Sequence, residues 1–208
     1  MAIKSISVIG AGVMGEALIA ALLKSGVPSN NISIVEKRKE RCDELVAKYS
    51  INAKTDLKTT DALLLVVKPQ DFNEVLNEIK SVLNPNALVI SFVAGKKIAT
   101  ISSGLSNKNA VVRVMPNTPT LIGQGAAGYS LDSNVSVEGK DFVIKLLTAA
   151  GLAVEVDEKF QDAVTATSGS GPAYFFAFVE AIIAGAKQLG LSESDATRLA
   201  TQTFIGAA

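Results

Sequence analysis

The pattern of apolar and polar positions divides the chain into two unlike parts. Through about residue 157, short apolar runs alternate with longer amphipathic segments. Residues 3–9 form an apolar run that leads into Gly10-Ala11-Gly12-Val13-Met14-Gly15, and residues 13–25 carry apolar positions at helical spacing. The reading is strand, glycine turn, helix, with Gly26 stopping the helix. A second strand is expected over residues 32–36 and a charged helix over 39–48. Residues 50–53 offer a short third strand. The run 62–67 is apolar throughout, as a strand covered on both faces in a parallel sheet would be, and Pro69 ends it. Then follow a helix over 73–83, a buried strand over 87–93, a helix over 98–105 and a strand over 110–115. A glycine-rich extended stretch over 122–129, a helix over 137–150 and a last strand over 153–156 complete this part. The alternation predicts an α/β fold on a doubly wound sheet.

Beyond residue 157 no further strand is convincing. Residues 160–167 read as one helix, interrupted by Ser168-Gly169-Ser170-Gly171-Pro172. Pro172 suits the first turn of the next helix, whose apolar face runs through Tyr174, Phe175, Phe178, Ile182 and Leu189. Gly190 ends it, and Ser192 caps a final helix with an acidic first turn. A short helical segment with apolar faces on several sides is too small for a core of its own. It reads as a region of self-association rather than a simple cap on the sheet.

The glycine turn carries the first chemical suggestion. Gly10 makes the tight turn, Gly12 has no side chain to keep a pyrophosphate off the backbone, and Gly15 lets the helix sit close on the sheet. The helix N-terminus offers N–H groups and partial positive charge to phosphates. This predicts dinucleotide binding. Glu36 lies 21 residues past Gly15, where an acid meets the adenosine ribose hydroxyls. Lys37 and Arg38 follow at once, and cations there hold a 2′-phosphate. The residues point both ways between NADH and NADPH. Ligands of such sheets bind beyond the carboxyl ends of strands, which puts Val66, Val67, Lys68 and Pro69 against the cofactor. Ala94 and Gly95, after the next strand, either admit the nicotinamide half to the backbone or only turn the chain.

Composition narrows the field. The 208 residues leave room for one or two domains, and 48% of them are hydrophobic. Twenty basic residues balance twenty acidic ones, which gives no reason to expect nucleic acid or an anionic membrane as partner. A single cysteine, Cys42, excludes an internal disulfide and favours a reducing, cytoplasmic compartment; it reads as a half-buried helix residue. The uninterrupted apolar runs are too short to span a bilayer. No histidine is present, so histidine acid–base chemistry and histidine metal sites are impossible, and no metal is expected.

Four stretches together carry a resemblance: Gly10 to Gly15, Val66-Val67-Lys68-Pro69, Met115-Pro116-Asn117-Thr118-Pro119, and Thr165 to Tyr174 with its Ser-Gly-Ser-Gly-Pro-Ala-Tyr. The chain resembles the pyrroline-5-carboxylate reductases along its whole length, and the third and fourth motifs are far more specific than the first. The resemblance implies a Rossmann-type NAD(P)-binding domain over 1–157 and a helical dimerisation domain over 158–208 that intertwines with a second subunit. It implies the last step of proline biosynthesis, hydride transfer from NAD(P)H to a cyclic imine. It further implies cofactor contacts from Ile9, Gly10, Ala11, Gly12, Val13, Met14, Val66 to Pro69, Val93, Ala94 and Gly95, and commonly a preference for NADPH. Family members carry further helices and a Ser-Pro-Gly-Gly-Thr loop beyond the position of Gly206-Ala207-Ala208. The sequence therefore reads as a piece of a longer protein, and the residues of that loop, which hold the substrate carboxylate, map onto nothing here.

The chemistry agrees with the absence of histidine. Ketone reduction asks for a proton donor at the oxygen, whereas a cyclic imine can arrive protonated, so positioning of the hydride donor can suffice. Asn117, Ser168 and Ser170 are candidates for orienting groups beside the substrate, with turn and helix-cap roles as the equal alternative. Lys68, before a proline at a strand end, reads as a backbone contact with an exposed amine. Two competing readings remain open: a deazaflavin-dependent NADP oxidoreductase or hydroxy-acid dehydrogenase of the same architecture, and a nucleotide-sensing module without turnover.

Overall fold

Strand residues that are apolar on both sides need cover on both faces, and the sheet supplies it. The computed structural model describes residues 3–53 and 55–207. Among these, seven strands form one sheet: β1 (Ile6–Ile9), β2 (Ile32–Val35), β3 (Ala62–Leu65), β4 (Leu88–Ser91), β5 (Val111–Met115), β6 (Gly125–Leu131) and β7 (Gly151–Glu155), in the order β2-β1-β3-β4-β5-β6-β7. The first five are parallel; β6 runs antiparallel to β5, and β7 parallel to β6. Between them come α1 (Val13–Lys24), α2 (Lys39–Tyr49), α3 (Phe72–Ile79), α4 (Ile98–Gly104) and α5 (Val137–Ala150).

Alternation along each strand sorts side chains between two cores. Ala62, Leu64, Leu88 and Ile90 share one cluster with Leu18 and Leu22 of α1, Leu45 of α2 and Leu146 of α5. Leu63, Leu65 and Val89 share the other with Phe72 and Leu76 of α3 and Ile101 of α4. Burying each large aliphatic side chain contributes about 1.5–3 kcal/mol, comparable to the roughly 1–2 kcal/mol that ordering a residue's backbone costs. The helices on both faces supply that burial, and the expected doubly wound α/β sheet is present. The chain passes from β1 to β2 on one side and returns across β1 to β3 on the other. That reversal opens a crevice at the carboxyl ends of β1 and β3.

Some expectations are corrected. Residues 50–53 form only an isolated bridge, Ser33 with Asn52. Ser50 leaves α2 in the left-handed region at φ 54°, and of the bridge segment only Ile51 reaches the core, too little apolar surface to extend a strand. Residues 118–122 form a 3₁₀ turn before β6 begins at Gly125. The expected interruption is present but falls later than residue 167, at the bend Ser170 that caps the next helix, with Pro172 in its first turn. A 3₁₀ turn (Glu158–Phe160) leads into α6 (Gln161–Val164) and a π-helical turn (Thr165–Gly169). Thr165 Oγ1 donates to the Gln161 carbonyl (2.9 Å) and Ser168 Oγ to that of Val164 (3.1 Å), so residues that look like helix breakers are absorbed by back-bonding and a wider turn.

The chain divides into two compact units, Met1–Gly169 and Ser170–Ala208. In the second, α7 (Gly171–Gln188) and α8 (Glu193–Ala207) form an antiparallel pair, with Phe204 edge-on to Phe175 and Phe178 at centroid distances of 5.2 and 5.7 Å. Ser192 Oγ accepts from Asp195 N–H (3.1 Å) as the cap of α8. Tyr174, Phe176, Leu189 and Leu199 remain exposed. The helical run Glu158–Gln188 is long and apolar enough to cross a membrane by length and composition alone; its scattered Ser, Thr and Gly residues hide this from a count of uninterrupted apolar runs. Gly206 and Ala207 close α8, and Ala208 lies outside the described residues.

Gly15, in the first turn of α1, faces the Gly10 carbonyl so closely that a Cβ there would collide with backbone oxygen. Gly15→Ala is therefore expected to destabilise the protein by about 1–3 kcal/mol in urea unfolding, despite alanine's better helix propensity. A midpoint equal to wild type would contradict the close packing.

Candidate functional site

The site is built on the turn between β1 and α1. Gly10 N–H donates to Val35 C=O (3.1 Å) and Val66 N–H to Ile9 C=O (2.8 Å), which draws the ends of β1, β2 and β3 together. Gly10 sits at φ +90°, and a Cβ on it would lie 2.5 Å from the Val66 carbonyl oxygen. Gly12 is the extended N-cap of α1, with no side-chain cap on the helix, and nothing lies within 4 Å of where its Cβ would be. The three glycines thus do three different things: one turns, one leaves space, one permits contact.

Over this turn lies a cleft of about 860 Å³. Ile9, Gly10, Gly12 and Val13 line it from the turn, Val35, Glu36, Lys37 and Arg38 from the end of β2, and Val66, Val67 and Lys68 from the end of β3. The volume and the apolar walls suit a cofactor-sized ligand, and uncapped N–H groups at the start of a helix favour an anion. The open space before Gly12 fits a pyrophosphate.

Glu16, Glu36, Lys37, Arg38 and Arg41, among the charges that line the cleft, are paired. Glu36, with its side chain 8% exposed, accepts from Arg38 Nε (3.0 Å) and from the Arg38 backbone N–H (3.0 Å). Burial pulls its pKa up, but the Arg38 hydrogen bonds and charge outweigh this and leave it below the ordinary value. Lys37 reaches across to Glu74 (2.7 Å), and both are exposed. Such an exposed pair contributes little to stability, so Lys37 can turn to a phosphate at small cost, whereas Arg38 is held by the mostly buried Glu36 carboxylate. Glu16, on the first turn of α1, would by itself make the cleft floor negative. Arg41 and Lys48 (2.8 Å) neutralise it, and the Tyr49 hydroxyl donates a further hydrogen bond (3.0 Å). Arg41 also donates Nε–H to the Ala11 carbonyl (3.1 Å) and bonds Glu44 (2.7 Å), fastening α2 to the glycine turn.

Glu16, Val35, Arg41, Asp71, Val75 and Glu78 line the cleft without having been expected. Val35 adjoins Glu36 and Glu16 adjoins Gly15 in sequence; the other four are brought there by the fold. Of the expected contacts, Ala11 is buried beneath the turn and Val93 beneath its loop, Met14 is half-buried, and Pro69, Ala94 and Gly95 are exposed; none of these six lines the cleft. Gly95 has φ +71° and open space around it. Lys68 is exposed. Asn117 is nearly buried, and its Oδ1 accepts from Ala126 N–H (2.9 Å), bracing β6. Ser168 back-bonds in the π-helical turn. Ser170 stands at the N-cap of α7 without a side-chain cap bond. Gly169 meets the Met115 side chain, so the Met-Pro-Asn-Thr-Pro strand end and the Ser-Gly turn pack together.

Comparison with known proteins then decides the family. Residues 158–208 match the family described as pyrroline-5-carboxylate reductase dimerisation, and residues 5–95 the family described as NADP oxidoreductase, coenzyme F420-dependent. A pyrroline-5-carboxylate reductase of Pseudomonas aeruginosa is 38% identical over all of this chain and 78% of its own length. The chain belongs to the pyrroline-5-carboxylate reductase family. The structure of a family member from Coxiella burnetii superposes with a TM-score of 0.89 at 32% identity, covering 98% of this chain and 78% of that one. A Plasmodium falciparum pyrroline carboxylate reductase, solved with NADP bound, gives 0.85 at 30% identity over 98% and 76%. The F420-dependent match is confined to the part holding the glycine turn, so it reports shared architecture, whereas the reductase relatives extend over the whole chain.

The charge cluster beneath the reductase cleft has a pH signature. Glu16 is held down to about 2 from an ordinary 4.5, first by the Lys48 hydrogen bond; burial opposes this, and Arg41 and Tyr49 add to the lowering. A depressed carboxyl contributes stability that is fully present above its unfolded pKa and is lost as pH falls through the folded one. Wild-type stability is expected to drop between about pH 4.5 and 2, with a shallower decline and lower neutral-pH stability for Glu16→Gln. Urea midpoints against pH measure this; identical slopes would contradict it.

Proposed function

We propose that this chain reduces 1-pyrroline-5-carboxylate to L-proline with NADPH, the closing step of proline biosynthesis, and accepts NADH less well. The observation that carries the reading is the uncapped glycine turn opening on the cleft, in a chain whose family membership extends over its full length. The bound nicotinamide supplies the hydride. The chain's own residues bind and orient. Gly10, Gly12 and the first amides of α1 receive the pyrophosphate, and Lys37 and Arg38 receive the 2′-phosphate. Val66 and Val67 form an apolar wall, and the exposed backbone at Ala94 and Gly95 adjoins the nicotinamide half. Glu36 already serves Arg38, which supports the 2′-phosphate over a ribose diol. With no histidine in the chain, the imine arrives protonated, and Asn117, Ser168 and Ser170 are its orienting candidates.

The domain division we propose is a cofactor domain over 1–157 and a helical domain over 158–208, the stretch that matches the dimerisation family. The exposed aromatic and aliphatic side chains of α7 and α8 then belong to an interface between copies of the chain rather than to a bilayer, in a cytoplasmic homodimer without nucleic-acid or membrane partners.

Gly12→Val places a branched side chain in the open space of the turn. NADPH binding is expected to weaken by tenfold or more, each factor of ten being about 1.4 kcal/mol, with an unchanged urea midpoint. An unaltered fluorescence titration would refute the site. Replacing Lys37 and Arg38 together by alanine is expected to weaken NADPH by about tenfold or more, two phosphate contacts at roughly 1.5–3 kcal/mol each less their existing pairings, and to spare NADH. Equal losses for both cofactors would show that these residues do not read the 2′-phosphate.

A further inference from the structure

Arg113 is the one basic residue inside a strand of the described sheet. It lies in β5, two positions before the Met-Pro-Asn-Thr-Pro stretch, with its side chain 7% exposed. On its sheet neighbours it is flanked by Ser91 and Ser130, both buried. A guanidinium so placed needs a counter-charge. Two carboxylates approach it. Asp162 stands 3.9 Å from Nη2 and is almost fully exposed, so water screens it. Glu158 Oε1 stands 3.3 Å from Nη1 and is 30% exposed, which makes it the working partner.

The same Glu158 oxygen accepts the Ile98 backbone N–H at 2.7 Å. Ile98 is the first residue of α4, whose N-cap, Lys97, provides no side-chain cap. A carboxylate from 60 positions away therefore supplies the missing cap. One oxygen thus joins three things: the strand that delivers Asn117, the end of the loop holding Val93, Ala94 and Gly95, and the first residue of the segment that matches the dimerisation family.

We propose that Glu158, acting through Arg113 and the Ile98 amide, is a positioning residue for hydride transfer. It holds the loop after β4 and the loop after β5 in fixed register with the start of the dimerisation segment. A pair this buried contributes geometry more than stability, and small displacements at a reacting pair are expensive in rate. The inference rests on the family reading for the identity of the reaction.

The test compares wild type, Glu158→Leu and the double variant Arg113→Met/Glu158→Leu, which leaves no uncompensated buried charge and no side-chain acceptor for the Ile98 N–H. Both variants are expected to lower kcat about tenfold while the NADPH Kd stays within about twofold, and the double variant keeps the wild-type thermal midpoint. Amide hydrogen exchange reads the fastening without turnover: residues 93–98 should exchange about tenfold faster in the double variant, with the central strands unchanged. A double variant with wild-type kcat, or with kcat, NADPH affinity and thermal midpoint falling together, overturns the inference. Unchanged exchange at residues 93–98 overturns it as well. A wild-type protein that binds NADPH but reduces no imine counts against the family function instead, and the exchange experiment then decides the role of Glu158 by itself.

Discussion

Two backbone approaches govern the cofactor half of the molecule. The Gly10 backbone lies against the Val66 carbonyl, and Gly15 lies against the Gly10 carbonyl. Neither contact leaves room for a Cβ. Together they draw β1, β3 and the start of α1 into one junction, and that junction is where strand order reverses. The cleft is a consequence of this arrangement rather than a separate feature. Of the turn's three glycines, Gly12 alone, between the two tight positions, has nothing within 4 Å of where a Cβ would stand, so this glycine leaves space where an anion meets the helix amides.

Around that junction the charges are arranged to leave the phosphate side available. Glu16 could oppose a dinucleotide, but Arg41, Lys48 and Tyr49 hold it. Arg41 ties the same cluster to the Ala11 carbonyl, so the electrostatic and the conformational supports of the turn are one network. At the far end of the cleft Glu36 is engaged by Arg38, and Lys37 lies in an exposed pair that a phosphate can displace at little cost.

Much of this was legible in the sequence because the signals were local. The glycine spacing, the apolar run 62–67 and the charged Glu36-Lys37-Arg38 stretch each report a short-range constraint, and all reappear at the cleft. The Ser192 cap of α8 was legible for the same reason. What was not legible depends on partners distant in the chain. Arg41 looks like any basic helix residue until it is seen on Ala11, and Glu158 until it is seen on Ile98 and Arg113. The short strand at 50–53 failed because a single buried isoleucine does not hold a strand. The break expected from residue 168 falls at Ser170 instead, because hydroxyl back-bonding carries a helical turn on through Gly169.

The central claim joins a cofactor cleft to a family reaction, and one assay addresses both. NADPH oxidation by the purified protein, prepared at the length of its family relatives, is followed at the nicotinamide absorbance with 1-pyrroline-5-carboxylate present, while proline is quantified separately. The account predicts one proline formed for each NADPH consumed, with slower turnover on NADH. Saturable NADPH binding with no proline formed from either cofactor would contradict it.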